Sequence, residues 1–483
     1  MISTTSSRKL SNKIKDHKML YKKTYENSTE KFKKMADKVQ TDPMLLKYHI
    51  YPEAGWLNDP NGLCQFKGNF HIYFQYSPLD ENRKEIIWGH VSSPDFIHFK
   101  RDNPFLYADS PLDKDGAYSG SAFIKDDEIN YFYTGNVKYD GDFDYINDGR
   151  EHNTIKVKSR DAVNYDEKEL ILTNSDYPLD ITKHVRDPKI YEKNGIYYMF
   201  LGARSKEDKG MVLVFKSADL ENFTYHMRIE SNDKFGYMWE CPDFFELNGK
   251  DLLIVCPQGL QKEDYKYQNI YQAGYFPIEI DLENKEYRLG KFKELDYGFD
   301  FYAPQTFQDE SDRRILLGWM GMPDAEYTNP TTKYKWQHCL TIPRELTYIN
   351  GKICQRPIKE LKKLRQENEY LPRGEKLEIS VFEALCSKIA SEFKVKLRGD
   401  VTLTYNNQTL ILNMGESSWG RKIRQVRIEE IENIRIFSDK SSLEIFINDG
   451  SYTLSTRVYS KNMNFSSDDL DFEVYRLNPI KFM

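Results

Sequence analysis

The sequence lacks the marks of a membrane protein, of a disulfide-rich protein and of a nucleic-acid-binding protein. No window approaches the ~18 consecutive apolar residues of a membrane span. The six cysteines are scattered, without a CxxC pair, which is typical of free thiols in a reducing compartment. The 69 basic and 75 acidic residues are interspersed and give a net charge of −6, so no basic patch is available for a nucleic acid. We therefore expect a soluble protein without nucleic-acid or membrane partners.

The first 42 residues also lack a secretory signal. They begin MISTTSSRKLSNKIKDHKML, with charges every few residues and no apolar core, so we expect a cytoplasmic location. Apolar residues recur there at roughly helical spacing, namely Leu20, Tyr21, Tyr25, Phe32 and Met35. We interpret residues 1–42 as a helical leader packed on the main body. A membrane-surface helix is the weaker alternative because the apolar face is thin.

Aromatic residues are abundant, at 14% of the chain, as is typical of β-rich proteins. From about residue 48, five segments share one pattern: a short strand with a polar motif, a turn, and an apolar strand. Their first halves read GWLNDPNGLCQF, AYSGSAFI, VRDPKIYEK, MWECPDFFEL and FYAPQTF. We align the five repeats at Asp59, Gly120, Asp187, Glu240 and Pro304.

Five repeated sheets around an axis would make a β-propeller, whose innermost strands would point the polar motifs into one central funnel. After about residue 345 the motifs stop, and residues 357–369 predict a helical linker that opens with Pro357. Alternating strands then resume, with a hairpin turn at residues 448–450. The predicted fold is all-β: leader 1–42, five-bladed propeller 43–350, linker 351–372 and C-terminal β-sandwich 373–483.

Three of the five motifs carry a carboxylate, which is the group that glycoside hydrolysis requires in pairs. Asp59 lies in a turn among amide neighbours, where an aspartate tends to stay ionised as a nucleophile must. Glu240 follows Met238 and Trp239, and apolar surroundings would let it hold a proton near neutral pH. Asp187 could accept hydrogen bonds from sugar hydroxyls and favour a positively charged transition state. Taken singly, each has an ordinary structural explanation as a turn residue, a strand-end residue or half of an ion pair.

The motifs together resemble glycoside hydrolase family 32, which includes invertases and levanases. The matching pieces are YHIYPEAGWLNDPNG, YFQYSP, WGH, YSGSA, FYTGN, RDPK, ECPD, FYAPQ and WQHCLTIPREL, with SSLEIFINDG in the second domain. Each piece is weak alone, but nine pieces in family order make a chance resemblance very improbable. The likeness covers the chain from about residue 45 to its end.

The resemblance implies a five-bladed propeller with a β-sandwich and a retaining β-fructofuranosidase activity in sugar catabolism. It implies Asp59 as the nucleophile, Glu240 as the general acid/base and Asp187 as the stabiliser of the transition state. It also implies residues that hold the sugar: Leu57, Asn58, Pro60, Gln75, Trp88, Tyr118, Ser119, Arg186 and Trp336. We expect no metal or redox cofactor. The expected substrates are sucrose 6-phosphate or sucrose, because the leader, the length and the expected location fit the cytoplasmic members that act on the phosphorylated sugar.

Several alternatives remain open. Within enzymes they are a fructan hydrolase and an inverting propeller hydrolase of arabinose or xylose polymers; outside enzymes, a catalytically silent carbohydrate-binding propeller. Arg204, Lys206 and Lys209 are candidate phosphate ligands, although solvated surface charge is the more ordinary interpretation of each. The alternating acidic residues 140–144 resemble a calcium loop, but Tyr145 replaces the required glycine. Both a monomer and a homodimer are compatible with the sequence.

Overall fold

A computed structural model describes residue 22, residues 25–416 and residues 418–483 of the chain. Helix α1, Thr29–Val39, is the longest helix of the described residues. Its Met35 and Val39 are buried in a cluster with Tyr51 and Trp336, so this part of the leader packs on the main body as interpreted. Leu20 and Tyr21 lie outside the described residues. No helix in the described part of the chain is long and apolar enough to span a membrane.

Five antiparallel sheets of four main strands follow, each formed by consecutive segments of chain. The first three contain β1 Gly55–Phe66, β2 Asn69–Ser77, β3 Ile87–Ser93 and β4 His98–Asp102; β5 Ala117–Lys125, β6 Glu128–Lys138, β7 Arg150–Ser159 and β8 Glu169–Leu172; and β9 Ile181–Lys193, β10 Ile196–Ser205, β11 Gly210–Ser217 and β12 Thr224–Ile229.

The fourth and fifth sheets follow the same plan. They contain β13 Met238–Leu247, β14 Lys250–Gln258, β15 Gly274–Asp281 and β16 Glu286–Leu289, with β17 Lys293–Glu294 beside β15; and β18 Tyr302–Gln308, β19 Arg314–Trp319, β21 Arg344–Ile349 and β22 Lys352–Pro357. The short β20, Trp336–Gln337, follows a 3-10 helix at Pro330–Tyr334 and pairs in parallel with β1.

The first strands of the five sheets pack against one another in a closed ring. Strand β1 contacts β5, β5 contacts β9, β9 contacts β13, β13 contacts β18, and β18 contacts β1 again. These are the strands on which the sequence places its polar motifs. The propeller arrangement is therefore confirmed, and the motif-bearing strands surround its axis.

Two six-stranded sheets form the C-terminal β-sandwich. Their strands are β23 Arg365–Leu371, β24 Lys376–Glu378, β25 Phe382–Cys386, β26 Phe393–Arg398, β27 Val401–Asn406, β28 Thr409–Asn413, β29 Ile423–Arg427, β30 Ile434–Asp439, β31 Ser442–Ile447, β32 Tyr452–Arg457, β33 Asn464–Ser467 and β34 Phe472–Leu477. The predicted hairpin turn joins β31 to β32. The final strand, β35 Lys481–Phe482, returns to the propeller and pairs with β4.

The predicted helical linker is wrong in most of its length. Strand β22 extends the fifth propeller sheet to Pro357, beyond the boundary expected at residue 350, and only Lys359–Leu364 forms a short 3-10 helix. The charged run after it is β23, an edge strand of the sandwich. Charged residues are typical of edge strands because they oppose pairing with another chain, and the same composition also suits an exposed helix.

A buried network of charged residues joins the propeller to the sandwich. Arg344 of β21 donates to Glu444 of β31 over 2.5 Å and to Ser455 over 2.6 Å. Glu444 also lies 2.9 Å from Nε2 of His49, whose Nδ1 lies 2.9 Å from Asp439. Although burial lowers the pKa of His49, its hydrogen bonds to Asp439 and Glu444 outweigh burial and raise the pKa above its ordinary value.

We expect Arg344→Met to lower the free energy of unfolding by about 3–5 kcal/mol, because Glu444 would lose a partner while remaining buried. Arg288→Met is the matched control, since Arg288 pairs with Glu279 on the surface and exposed pairs contribute roughly 0–1 kcal/mol. Urea denaturation of both variants measures the difference. Equal losses in the two variants would show that the buried network does not stabilise the fold.

Candidate active site

Each of the five innermost strands carries a β-bulge, which lies near the start of four strands and in the middle of β9. The pairing with the second strand shifts by one residue between Leu57 and Pro60 in the first sheet, and at the matching place in the others. The bulges contain Asn58 and Asp59, Tyr118 and Ser119, Asp187 and Pro188, Cys241 and Pro242, and Ala303 and Pro304. A bulge re-aims side chains beside a site, and five of them act at one end of the funnel.

The bulges correct the repeat alignment expected from the sequence. Arg186, Glu240 and Tyr302 share one register position, the last pair before the bulge. Asp187 lies one residue later and therefore does not match Glu240. Asp187 has a φ of 64°, a left-handed conformation that is strained for a residue with a side chain. A bulge adds one residue to one strand, and motif spacing alone cannot locate it.

Asp59 lies among hydrogen-bond donors from the first two sheets. Its Oδ2 accepts from Ser119 Oγ at 2.5 Å and from Gln75 at 3.3 Å, while Oδ1 accepts from Asn58 at 2.9 Å. Gln75 also donates to Ser119. Burial raises the pKa of Asp59, and the hydrogen bonds from Ser119 and Asn58 oppose that rise. The expected amide neighbours are present, but the net effect on the pKa is the reverse of the one expected.

Glu240 accepts hydrogen bonds from three different strands. Arg186 donates to Oε1 from Nη2 at 2.6 Å and from Nε at 3.0 Å. Gln258 at 2.7 Å and the Tyr302 hydroxyl at 2.6 Å donate to Oε2. The expected apolar surroundings of this carboxyl group are therefore wrong. Met238 and Trp239 are buried within the sheets, and the carboxyl group itself faces polar partners.

Asp187 is 4% exposed and lies within electrostatic range of both other carboxylates. Its Oδ2 accepts from the backbone N–H of Cys241 at 2.9 Å, and its own N–H donates to Thr134 at 2.9 Å. Burial raises the pKa of Asp187; Arg186 opposes the rise and the negative charge of Glu240 adds to it. The three carboxylates thus converge in one funnel, although Asp59 and Glu240 lie more than 100 residues apart in sequence.

The other expected sugar ligands divide into two groups. Asn58, Gln75, Ser119 and Arg186 touch the carboxylates, and Tyr118 precedes Ser119 in the same bulge. The remaining four are buried and make no hydrogen bond to Asp59, Asp187 or Glu240, namely Leu57, Pro60, Trp88 and Trp336.

The two buried tryptophans support the site from behind. Trp88 donates to the Tyr118 carbonyl at 3.0 Å, and Trp336 donates to Asp42 at 2.8 Å beside α1. Both side chains are 0% exposed. Trp88 thereby holds the bulge that contains Ser119, and Trp336 belongs to the short strand that pairs with β1. Their expected role as sugar ligands stays a prediction.

Several residues beyond those predicted from the motifs complete the site. Tyr302 and Gln258 bind Glu240, and the half-buried Trp56 donates from Nε1 to Asn58 at 2.8 Å. Arg83 reaches Gln75 at 3.5 Å and its charge acts on Asp59. Tyr302 lies in FYAPQ and Trp56 in GWLNDPNG, so both could have been predicted as site residues from the family motifs. Gln258 and Arg83 are positioned only by strand pairing and loop geometry.

Two of the three candidate phosphate residues, and one of the candidate calcium residues, have partners of their own. Arg204 donates to Asp208 at 2.5 Å, and Lys209 pairs with Glu230 at 3.4 Å. Asp144 accepts from the backbone of Ile146 and Asn147, as in a local turn. Within residues 25–416 and 418–483, no group of three or more His, Cys, Asp or Glu side chains is placed to hold a metal ion.

Comparisons with known proteins agree with this geometry. The family models described as "Glycosyl hydrolases family 32 N-terminal domain" and "Glycosyl hydrolases family 32 C terminal" match residues 49–357 and 351–477. The chain is similar to sucrose-6-phosphate hydrolase of Bacillus subtilis (strain 168), with 38% identity over 89% of this chain and 92% of the relative. It is also similar to sucrose-6-phosphate hydrolase of Staphylococcus xylosus, with 36% identity over 91% and 92%.

Solved structures give the same result. Sucrose-6-phosphate hydrolase from Lactobacillus gasseri superposes with a TM-score of 0.86 and 28% identity, covering 94% of this chain and 97% of that one. A family 32 β-fructofuranosidase from Bombyx mori superposes with a TM-score of 0.83 and 31% identity, covering 95% and 100%. The resemblance expected from the motifs is confirmed: the chain belongs to glycosyl hydrolase family 32.

Proposed function

We propose that the chain is a retaining β-fructofuranosidase that releases fructose from sucrose 6-phosphate and from sucrose. The observation that carries the proposal is the convergence of Asp59, Asp187 and Glu240, each held by hydrogen bonds from neighbouring sheets. A retaining glycosidase needs one carboxylate to attack the anomeric carbon and a second to protonate the leaving oxygen. The names of the relatives support the choice of sugar.

In the first step Asp59 attacks C2 of the fructosyl unit while Glu240 protonates the glucosyl oxygen, so the C2–oxygen bond breaks and a fructosyl-Asp59 ester forms. In the second step Glu240 takes a proton from water, which attacks C2 and frees Asp59. The Tyr302 hydroxyl can donate to ionised Glu240 and accept from protonated Glu240, so it can follow the carboxyl group through both steps. Asp187 would bind vicinal hydroxyls and favour positive charge on the sugar ring.

Retention gives a direct test against the inverting alternative. We expect turnover of sucrose in aqueous methanol to yield methyl β-D-fructofuranoside beside fructose, because methanol enters on the face that the glucosyl unit left. NMR of the products distinguishes the anomers. The α anomer would contradict the assignment of Asp59 as nucleophile, and the absence of turnover would favour a silent carbohydrate-binding protein.

The preferred substrate is tested with the same enzyme. We expect kcat/KM for sucrose 6-phosphate to exceed that for sucrose by about tenfold or more, since a bound phosphate adds charge-assisted hydrogen bonds. Equal kcat/KM values would contradict a preference for the phosphorylated substrate but would not affect the fructosidase assignment. A higher value for a short fructan would instead favour the fructan-hydrolase alternative.

A further inference from the structure

Arg150 is a half-buried arginine with no carboxylate partner among the described residues. It begins β7, whose start lies at the same end of its sheet as Ser119. Within the part of the chain that the structure describes, its buried Nε has no hydrogen-bond partner, and burial lowers the pKa of the guanidinium group. An arginine removed from water without an acceptor is unfavourable, so this guanidinium group is suited to receive an anion from outside the chain.

The neighbouring His184 does not accept a hydrogen bond from Arg150. Nδ1 of His184 lies 2.9 Å from Nη1 of Arg186, and arginine can only donate, so Nδ1 accepts. The neutral ring therefore carries its hydrogen on Nε2, which donates to the Tyr145 carbonyl at 3.0 Å. Burial lowers the pKa of His184 to about 3, which keeps the ring neutral. Nη1 of Arg150, 3.2 Å from that same Nε2, consequently meets a donor and gains no hydrogen bond.

Arg150 is connected by side-chain contacts to Glu240, the residue beside which the leaving group would lie. Arg150, His184 and Arg186 form a line of contacts that ends on Glu240, the residue that would protonate the leaving oxygen. Besides burial, the positive charge of Arg186 lowers the pKa of Arg150, whereas Tyr118 raises it. Both groups therefore lie within electrostatic range of Arg150. Arg83 also reaches the site, but it contacts Gln75 on the Asp59 side, where the fructosyl unit would lie.

We propose that Arg150 binds the phosphate of sucrose 6-phosphate, and so selects the phosphorylated leaving group. This inference rests on the proposed function of the same site. A phosphate offers a guanidinium group two acceptor oxygens in its own plane, which supplies the acceptors that His184 cannot. Arg204, in contrast, already donates both Nε and Nη2 to Asp208.

The test measures kcat/KM on both sugars for Arg150→Gln and Arg150→Lys. For Arg150→Gln we expect a fall of about 10- to 100-fold with sucrose 6-phosphate and less than about threefold with sucrose, as for loss of a charge-assisted hydrogen bond. Arg150→Lys should restore part of the selectivity, because it keeps the charge and loses the planar fork. Equal losses on both sugars would mean a structural role and would overturn the proposal.

Arg204→Gln is the matched control, and its ratio between the two sugars should stay within about threefold of the parent ratio. Loss of selectivity in Arg204→Gln or in Arg83→Gln, with Arg150→Gln unchanged, would place the phosphate elsewhere and overturn the proposal.

If Arg150→Gln does not fold, a second experiment takes its place: inhibition of the parent enzyme and of Arg150→Lys is measured with glucose 6-phosphate and with glucose. Stronger inhibition by the phosphorylated product, weakened in Arg150→Lys, supports the proposal; equal inhibition overturns it. A parent enzyme that cleaves neither sugar would instead refute the proposed function itself.

Discussion

Asp59→Ala is expected to lower kcat on sucrose 6-phosphate and on sucrose by about 10⁵-fold, the scale of loss when a covalent nucleophile is removed. The variant should still fold, because burial disfavours the charged form of Asp59. The substitution removes that buried charge. We expect the melting temperature to be unchanged or higher. Initial-rate assays and a thermal melt measure the two effects.

Azide distinguishes a missing nucleophile from a damaged site. In Asp59→Ala, azide can enter from the vacated face and give the α-fructosyl azide, since the leaving group departs on the opposite side. Asp208→Asn is the control, because Asp208 is exposed and pairs with Arg204 outside the carboxylate cluster; its kcat should stay within about twofold of the parent, as for a surface ion pair. Near-parental turnover by Asp59→Ala would remove Asp59 from the mechanism.

Glu240→Ala is expected to lower kcat on sucrose by about 10²–10⁴-fold, the usual contribution of general acid–base catalysis. The loss should be much smaller on β-D-fructofuranosyl fluoride, whose leaving group needs no proton. Removal of the acid affects departure of the glucosyl oxygen, whereas Asp59 still forms the ester. The ratio of the two losses, measured with one enzyme preparation, identifies the acid role.

The return step gives a second signature. In Glu240→Ala, azide should attack the fructosyl-Asp59 ester without base assistance and yield the β-fructosyl azide, the anomer opposite to that from Asp59→Ala. Glu246→Gln is the matched control, since Glu246 is exposed on the same strand, and its kcat should stay within about twofold, as for most surface substitutions. Equal losses on sucrose and on the fluoride would show that Glu240 is not the acid.

The linker shows where local sequence information was insufficient. Residues 365–371 are charged and polar, a composition that suits both an exposed helix and an edge strand. Strand β34 decides between them by pairing with β23, more than 100 residues later in the chain. The hairpin at residues 448–450 was predictable, because its turn residues and both strands are adjacent in sequence.

Local runs of sequence were enough to predict the family, the five motif-bearing strands and the three carboxylates that converge. Those features are local, since each motif lies on one strand and Asp59, Asp187 and Glu240 each sit in a recognisable run. The partners of these carboxylates, in contrast, depend on contacts between sheets. Glu240 has polar partners from three strands, Trp88 and Trp336 are buried, and Nε of Arg150 has no hydrogen-bond partner among the described residues. These outcomes depend on one-residue bulges and on packing between sheets, which bring together residues that no spacing along the chain relates.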